Sequence, residues 1–304
     1  MPIIKSANAL GWATGLCTLV AFTSATPHAG PPRLPSLQFL VGKHLTSVVV
    51  MKKTDAPSVS AAQGTVTMAG PSEQSITRVL TVKQGKTADE LLLEQAIKRV
   101  QLTIVSPLGR SVYDSENAFE RDAVTAALGQ RYDPYISKPR TSRYPAGTPL
   151  APATTDASFD NIWSTNVPAL SSTVLLRGLV VTLPAGATPG KKWQDSVRVG
   201  NSLTVNEYQI LKKEGDVLQV SLASHLLASS QPSETSSGAG PGFAVSATNT
   251  VNALDYQGDL RVRQTSGFIE ELHLTKHSAS VVKAGGQSLS NDSYAKVDIT
   301  NTIK

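Results

Sequence analysis

The chain has 304 residues, 40% of them hydrophobic and 17% charged, with a formal net charge of +5, five histidines and a single cysteine. That length is enough to build a sizeable hydrophobic core, and the mild positive charge is far below what a dedicated nucleic-acid protein carries. The lone Cys17 leaves no disulfide to form, so stability must come from ordinary packing.

Lys5 is the only charge before residue 33, and an apolar run from Ala7 to Phe22 follows it. The small residues Thr23, Ser24 and Ala25 come next, the order of a cleavable secretion signal. Gly11, Thr14 and Gly15 interrupt the run, which is too short for a comfortable membrane span. Residues 1–25 are therefore expected to be a signal peptide and the chain to be exported, to the periplasm or beyond. Thr14 and Leu16 stand where a lipobox would need leucine and a small residue, so Cys17 is not expected to be lipidated. The mature chain would then lack cysteine, which removes cysteine nucleophiles, cysteine zinc sites and iron–sulfur clusters.

After a Pro/Gly-rich linker at 26–36, strand signals dominate. Residues 37–53 carry Leu37, Phe39, Val41 and the run Val48 to Val50, the β-branched composition of a strand. Shorter strands are expected at about 64–69 and 75–83. Thr87 to Glu90 has the form of a helix capping box before Leu91 to Val100. Val100, Leu102 and Ile104 nevertheless alternate with Gln101 and Thr103, which predicts a strand over 99–105. Phe119, Ala123, Val124, Ala127 and Leu128 fall at helix spacing and stop at Gly129, predicting one short helix.

In the second half, residues 203–212 and 217–227 flank Lys213-Glu214-Gly215-Asp216 as a hairpin. Leu218, Val220, Leu222 and Leu226 alternate with Gln219, Ser221 and His225, so one face should be buried and the other wet. A long strand is expected from Phe268 to Val282 and a final amphipathic one through Ala295, Val297, Ile299 and Ile303. Residues 132–156 and 228–242, rich in Pro, Ser, Thr and Gly, read as surface loops, the first dividing an N-terminal β lobe (37–131) from a C-terminal one (157–304).

The run Pro107-Leu108-Gly109-Arg110-Ser111-Val112-Tyr113-Asp114-Ser115, after Arg99 to Leu102, resembles the Gly…Tyr-Asp-Ser element of a family of exported bacterial proteins of unknown function. Leu183-Pro184 followed by Pro189-Gly190-Lys191-Lys192-Trp193 is similar to that family's later Leu-Pro…Gly-x-x-Trp segment. The resemblance implies a mainly β fold of curved antiparallel sheets, like the half-barrels of lipoprotein carriers, in one or two lobes with few short helices. It also implies a strand where Leu93 to Val105 stands, and it carries no catalytic residues.

Candidate chemistry is sparse. His273 and His277 could be taken for zinc ligands, but on a strand residues four apart lie about 13 Å from one another, so both are expected to face solvent. Gly186 to Lys192 is one residue short of a phosphate loop and has no Ser or Thr after its lysine, so it reads as a turn. Asp114-Ser115-Glu116 and Asp195-Ser196 are expected to cap element ends. No Gly-x-Ser-x-Gly occurs. Neither an enzyme nor a cofactor is expected. The clearest interaction signal is Arg131, Tyr132, Tyr135, Lys138, Arg140, Arg143 and Tyr144, basic residues interleaved with aromatics that can hold an anionic polymer by charge and stacking.

Three readings follow. The first is a non-enzymatic exported binding protein that holds an apolar or lipid-like molecule on a curved sheet. The second is an envelope scaffold or anionic-glycan binder using the basic segment, and the third a hydrolase with an unrecognised site. Nucleic acid is not expected as a partner.

Overall fold

The structure, a computed structural model, describes residues 37–54, 58–61, 64–67, 70–87, 90–106, 109–117, 122–145, 167–171, 176–199, 202–228, 234–240, 243–284 and 287–304. The expected signal peptide, the linker and residues 146–166 lie outside these residues.

The described residues form one open antiparallel sheet. Its strands are β1 (His44–Lys53), β2 (Ser58–Ala61), β3 (Gly64–Thr67), β4 (Gly70–Gln84), β5 (Glu90–Ser106), β6 (Gly109–Asp114) and β7 (Arg140–Pro145). The later ones are β8 (Lys192–Val199), β9 (Ser202–Glu214), β10 (Val217–Ala228), β11 (Glu234–Gly240), β12 (Phe243–Arg263), β13 (Ile269–Ala284) and β14 (Gln287–Ile303). The main path runs β6-β5-β4-β1-β14-β13-β12-β10-β9-β8, with β2, β3, β7 and β11 paired beside it. Because β1 pairs with both β4 and β14, the division expected at 132–156 does not separate two sheets. The mainly β, half-barrel-like class read from the sequence is the one observed.

Alternation explains the strands. On β1, Leu45, Ser47, Val49 and Met51 are buried while the residues between them are half-buried or exposed, the period of two that one-sided burial selects. The hairpin turn expected at 213–216 is made by Gly215 and Asp216 between β9 and β10.

The capping-box stretch is strand, as the resemblance implied. Glu90 does accept a backbone N–H, from Lys86 at 3.0 Å, but as part of the β4–β5 turn, where Gly85 N–H also donates to Glu90 O. Leu91, Leu93, Gln95 and Ile97 are buried on one face of β5, and a bulge opposite Thr77 and Arg78 shifts the alternation so that Val100 and Leu102 are the buried residues beyond it.

The one helix, α1 (Ala123–Tyr132), starts later than expected and runs through Gly129. Asp122 caps it by accepting from Thr125 N–H at 2.7 Å, and Pro134 closes it in a 3-10 turn at Asp133–Tyr135. Two segments expected as loops contain strands: β7 pairs with β5, and β11 pairs with β12. Backbone pairing there outweighs the Pro, Ser and Gly content.

One face of the sheet is covered. A strap at 176–190 crosses it with Leu176, Leu179 and Val180 buried in one cluster with Phe268, and Val181 buried in the main core. Val181 N–H donates to Gly267 O and Ile269 N–H to Leu179 O, at 2.9 and 2.8 Å. At Gly178, φ is 70° and an added Cβ would stand 3.0 Å from Ile299 and Val167, so only glycine fits that bend without strain. Asn301 fastens the strap beside it. Its Nδ2 donates to Gly178 O and Ile269 O at 2.7 and 2.8 Å, and its Oδ1 accepts from Ser47 at 2.6 Å.

Candidate functional site

The covered face is apolar over most of its area, and strand register shows where that ends. One level across seven strands reads Trp193, Tyr208, Leu222, Gly258, Leu274, Val297 and Met51. Trp193 stacks on Tyr208 with ring centroids 4.7 Å apart. Gly258 is forced by packing, since a Cβ there would meet His273 O at 2.0 Å.

The next level reads Asp195, Asn206, Ser224, Tyr256, Lys276, Ala295 and Lys53. The residues share the covered face because each lies two positions from its apolar counterpart on the same strand. A row of polar groups thus crosses the sheet at the edge of the apolar wall.

Its partners are specific. Asn206 Nδ2 donates to Asp195 Oδ1 at 2.8 Å and to Ala169 O at 3.1 Å, and Tyr208 OH donates to Asp195 at 3.3 Å. Burial pushes the Asp195 carboxyl above the ordinary carboxylate range against those hydrogen bonds, and burial followed by the Asp195 charge pushes the Tyr208 phenol up. Burial likewise raises Tyr256, against the opposing charge of Arg177 on the strap. Lys276 Nζ lies 6.0 Å from the Tyr256 ring centroid. Its amine is brought down to about 8, chiefly by burial and then by the neighbouring Lys53 charge, while burial also lowers Lys53.

Three buried polar atoms at the β8–β10 end have no hydrogen-bond partner: Trp193 Nε1, Asn206 Oδ1 and Ser224 Oγ. Buried polar atoms are ordinarily satisfied, so their grouping beside one another marks a place where polar contacts are missing.

The opposite face carries all four described histidines. His225 Nδ1 lies 3.0 Å from Asp255 Oδ1, His277 Nδ1 3.4 Å from Asp255 Oδ2, and His277 Nε2 2.7 Å from Asp292. His277 stacks on Tyr294, and His273 pairs with Asp298 at 2.8 Å. His273 and His277 are on the open side of β13 with different partners, and no metal-binding group of three or more such ligands exists among the described residues. Ser224 and Tyr256 therefore have no imidazole on their own face. No described histidine is placed beside Ser224 to take its proton.

The seven residues of the basic segment are spread over three elements. Arg131 and Tyr132 end α1, Tyr135 is in the 3-10 turn, Lys138 follows it, and Arg140, Arg143 and Tyr144 are on β7. Tyr132 is buried with its ring 5.8 Å from that of Tyr113, so it offers no stacking platform to a polymer. Tyr135 is half-buried against the core, and Lys138 is exposed. The side chains of Arg131, Arg140, Arg143 and Tyr144 lie outside the described residues.

Other candidates resolve as local structure. Asp114 accepts a two-pronged hydrogen bond from Arg99 at 2.5 and 3.1 Å, which holds its carboxyl down at about 2, and Ser115 Oγ accepts from Val100 N–H. The segment around Gly186 is a turn in which Lys191 Nζ donates to Ala185 O. Asp195 is the exception. It was expected to cap an element end and instead sits within β8 on the covered face.

Sequence reasoning missed the row because its members come from seven strands and acquire a common level only through pairing. The one local signal is a polar residue at an otherwise apolar position: Ser224 after Leu222, and Asn206 before Tyr208.

On the open face, Gln194, Gln209, Gln219, Ser221, Gln257 and Asp259 line a trough of about 710 Å³ over β8, β9, β10 and β12. No family model matches the chain, and no curated protein matches it.

Proposed function

We propose that this is an exported, non-enzymatic binding protein that holds an apolar or lipid-like ligand against the covered face of its sheet. The observation that carries the reading is the adjacency of an apolar wall, from Leu222 to Met51, to a polar row with unsatisfied buried atoms at Asn206 and Ser224. An apolar surface with a few convergent polar groups is the usual composition of a small-molecule site. The strap fills part of the wall, so a bound chain would displace strap side chains or lie beside them at the row. Native mass spectrometry of protein purified from its own cells tests this. A co-purified amphiphile supports it, and a clean apo mass together with no saturable binding of Nile red by the folded protein overturns it.

A second reading, binding of an envelope glycan, draws support from the open-face trough, whose glutamine amides match sugar hydroxyls. Retention on a glycan column that is lost in Gln209→Ala/Gln257→Ala would favour it over the first.

A further inference from the structure

The open-face trough can be given a ligand class, an inference that rests on the glycan reading above. Its floor is low because β10 presents only Ser221 and Ala223 there, while longer side chains stand opposite them: Gln209 and Glu207 on β9, Asp259 and Gln257 on β12. Gln194 on β8 and Gln219 at the next level of β10 extend the lining. With strands about 4.8 Å apart, the four strands span about 14 Å. The side-chain amides of these glutamines make no hydrogen bond among the described residues, so each keeps two donors and an acceptor for a ligand.

The charge of the trough narrows the choice. Glu207 and Asp259 form no ion pair among the described residues, because basic groups of the same face are engaged elsewhere: Lys212 with Glu214, Arg261 with Glu271 and His273 with Asp298. Two carboxylates thus face a single ammonium, that of Lys192, in the lining. They can accept hydrogen bonds from hydroxyls, and they reject a ligand of like charge. A bulge then adds an apolar contact. Lys212 pairs with Gln219 and Ile210 with Val220, which leaves Leu211 without a partner across the ladder and 49% exposed at the trough.

We propose that the trough binds an uncharged, N-acetylated oligosaccharide, its hydroxyls held by the glutamine amides and the two carboxylates and an acetyl methyl packed on Leu211. An acetamido group matches a glutamine amide donor to acceptor and acceptor to donor. Acidic polymers, which the basic segment at 131–144 would suit, are turned away here by Glu207 and Asp259.

Binding of triacetylchitotriose, cellotriose and trigalacturonate to the full chain is measured by calorimetry. Triacetylchitotriose should bind at least about tenfold more tightly than trigalacturonate, and about threefold or more tightly than cellotriose. Glu207→Gln/Asp259→Asn should raise the affinity for trigalacturonate and leave the ranking of the two neutral sugars unchanged. Leu211→Ser should bring triacetylchitotriose down to the level of cellotriose. These positions lie on the open face, where substitution is well tolerated, and a matching thermal melt shows that each variant is folded.

Trigalacturonate binding as tightly as triacetylchitotriose, equal affinities for the two neutral sugars, or an unchanged discrimination in Glu207→Gln/Asp259→Asn would overturn the assigned class. The glycan reading would still stand in those cases if binding is lost in Gln209→Ala/Gln257→Ala. Binding of none of the three, or binding that survives Gln209→Ala/Gln257→Ala, would bring down both.

Discussion

Two polar rows cross this sheet at the same level, one on each face. On the open side His225, Asp255, His277 and Tyr294 follow one another in register. On the covered side their chain neighbours Ser224, Tyr256, Lys276 and Ala295 do the same. The open row is closed upon itself: Asp255 is shared by two imidazoles, and His277 is also held by Asp292 and stacked on Tyr294. The covered row is buried at Asn206, Ser224 and Tyr256, yet leaves Asn206 Oδ1 and Ser224 Oγ without partners. Solvent could have satisfied loose ends on the open face at little cost, whereas burial makes each one expensive. The unsatisfied atoms therefore stand where physics tolerates them least, and that placement is what a site for an incoming polar group requires.

The sharpest break in the comparison should come one level from the row. Leu222→Asp places a charge among buried apolar neighbours and is expected to cost at least about 4 kcal/mol, enough to unfold a marginal domain. Urea denaturation checks it: unfolding assigns Leu222 to packed core and leaves the ligand only the row beside it, whereas a folded Leu222→Asp protein that has lost only ligand binding would support the wall itself as ligand-facing.

Asn301→Ala should be next, at about 2–4 kcal/mol, because it strips a donor from two buried carbonyls and an acceptor from Ser47. Enhanced hydrogen exchange at Leu179–Val181 would locate the loss in the strap.

Asp255→Asn should cost about 1 kcal/mol or less, since its ion pairs are partly exposed, yet it should alter the pH dependence. Hydrogen bonding to Asp298, against burial, raises the His273 pKa above 6.5. Burial opposes protonation of His277, but Asp292 and Asp255 together outweigh it and raise that pKa as well. A raised folded pKa gives stability that is complete below about pH 6.5 and lost as pH climbs through the folded value. Wild-type stability should accordingly fall on going from pH 6 to pH 8, and Asp255→Asn should flatten part of that slope.

The smallest effect is expected at Ser224→Ala. Its hydroxyl makes no hydrogen bond to forfeit, so the melting temperature of the unliganded protein should hold or rise slightly. A marked drop would mean that the hydroxyl is satisfied after all and that the two rows are finished alike.

Strands with one dry face, such as β10 and the last turns of β14, were readable because Leu218, Val220, Leu222 and Val297, Ile299 alternate cleanly with polar residues. The start of β5 was ambiguous because Leu91, Leu92 and Leu93 are good helix formers and only pairing with β4 and β7 overrides that preference. β7 and β11 were hidden by proline, serine and glycine. The polar row was illegible for a different reason. Lys53, at the end of β1, and Lys276, midway along β13, look like ordinary solvated charges, and Asp195-Ser196 looks like a cap. Only register, which joins residue 53 to residue 295 and residue 195 to residue 206, brings them together.

The pairing of β1 with β14 also sets a schedule. Leu45 lies opposite Ile303, and His44 and Lys304 exchange backbone hydrogen bonds, so the middle of the sheet is closed by residues some 250 positions apart along the chain. Local hairpins such as β9–β10 and β4–β5 can form early, but the ladder that unites them has to wait for long-range closure, the slow class of folding event. As the polypeptide is made, its centre stays unzipped until β14 has emerged. That delay suits the export proposed above, because a chain that has not yet locked its central ladder can still be threaded.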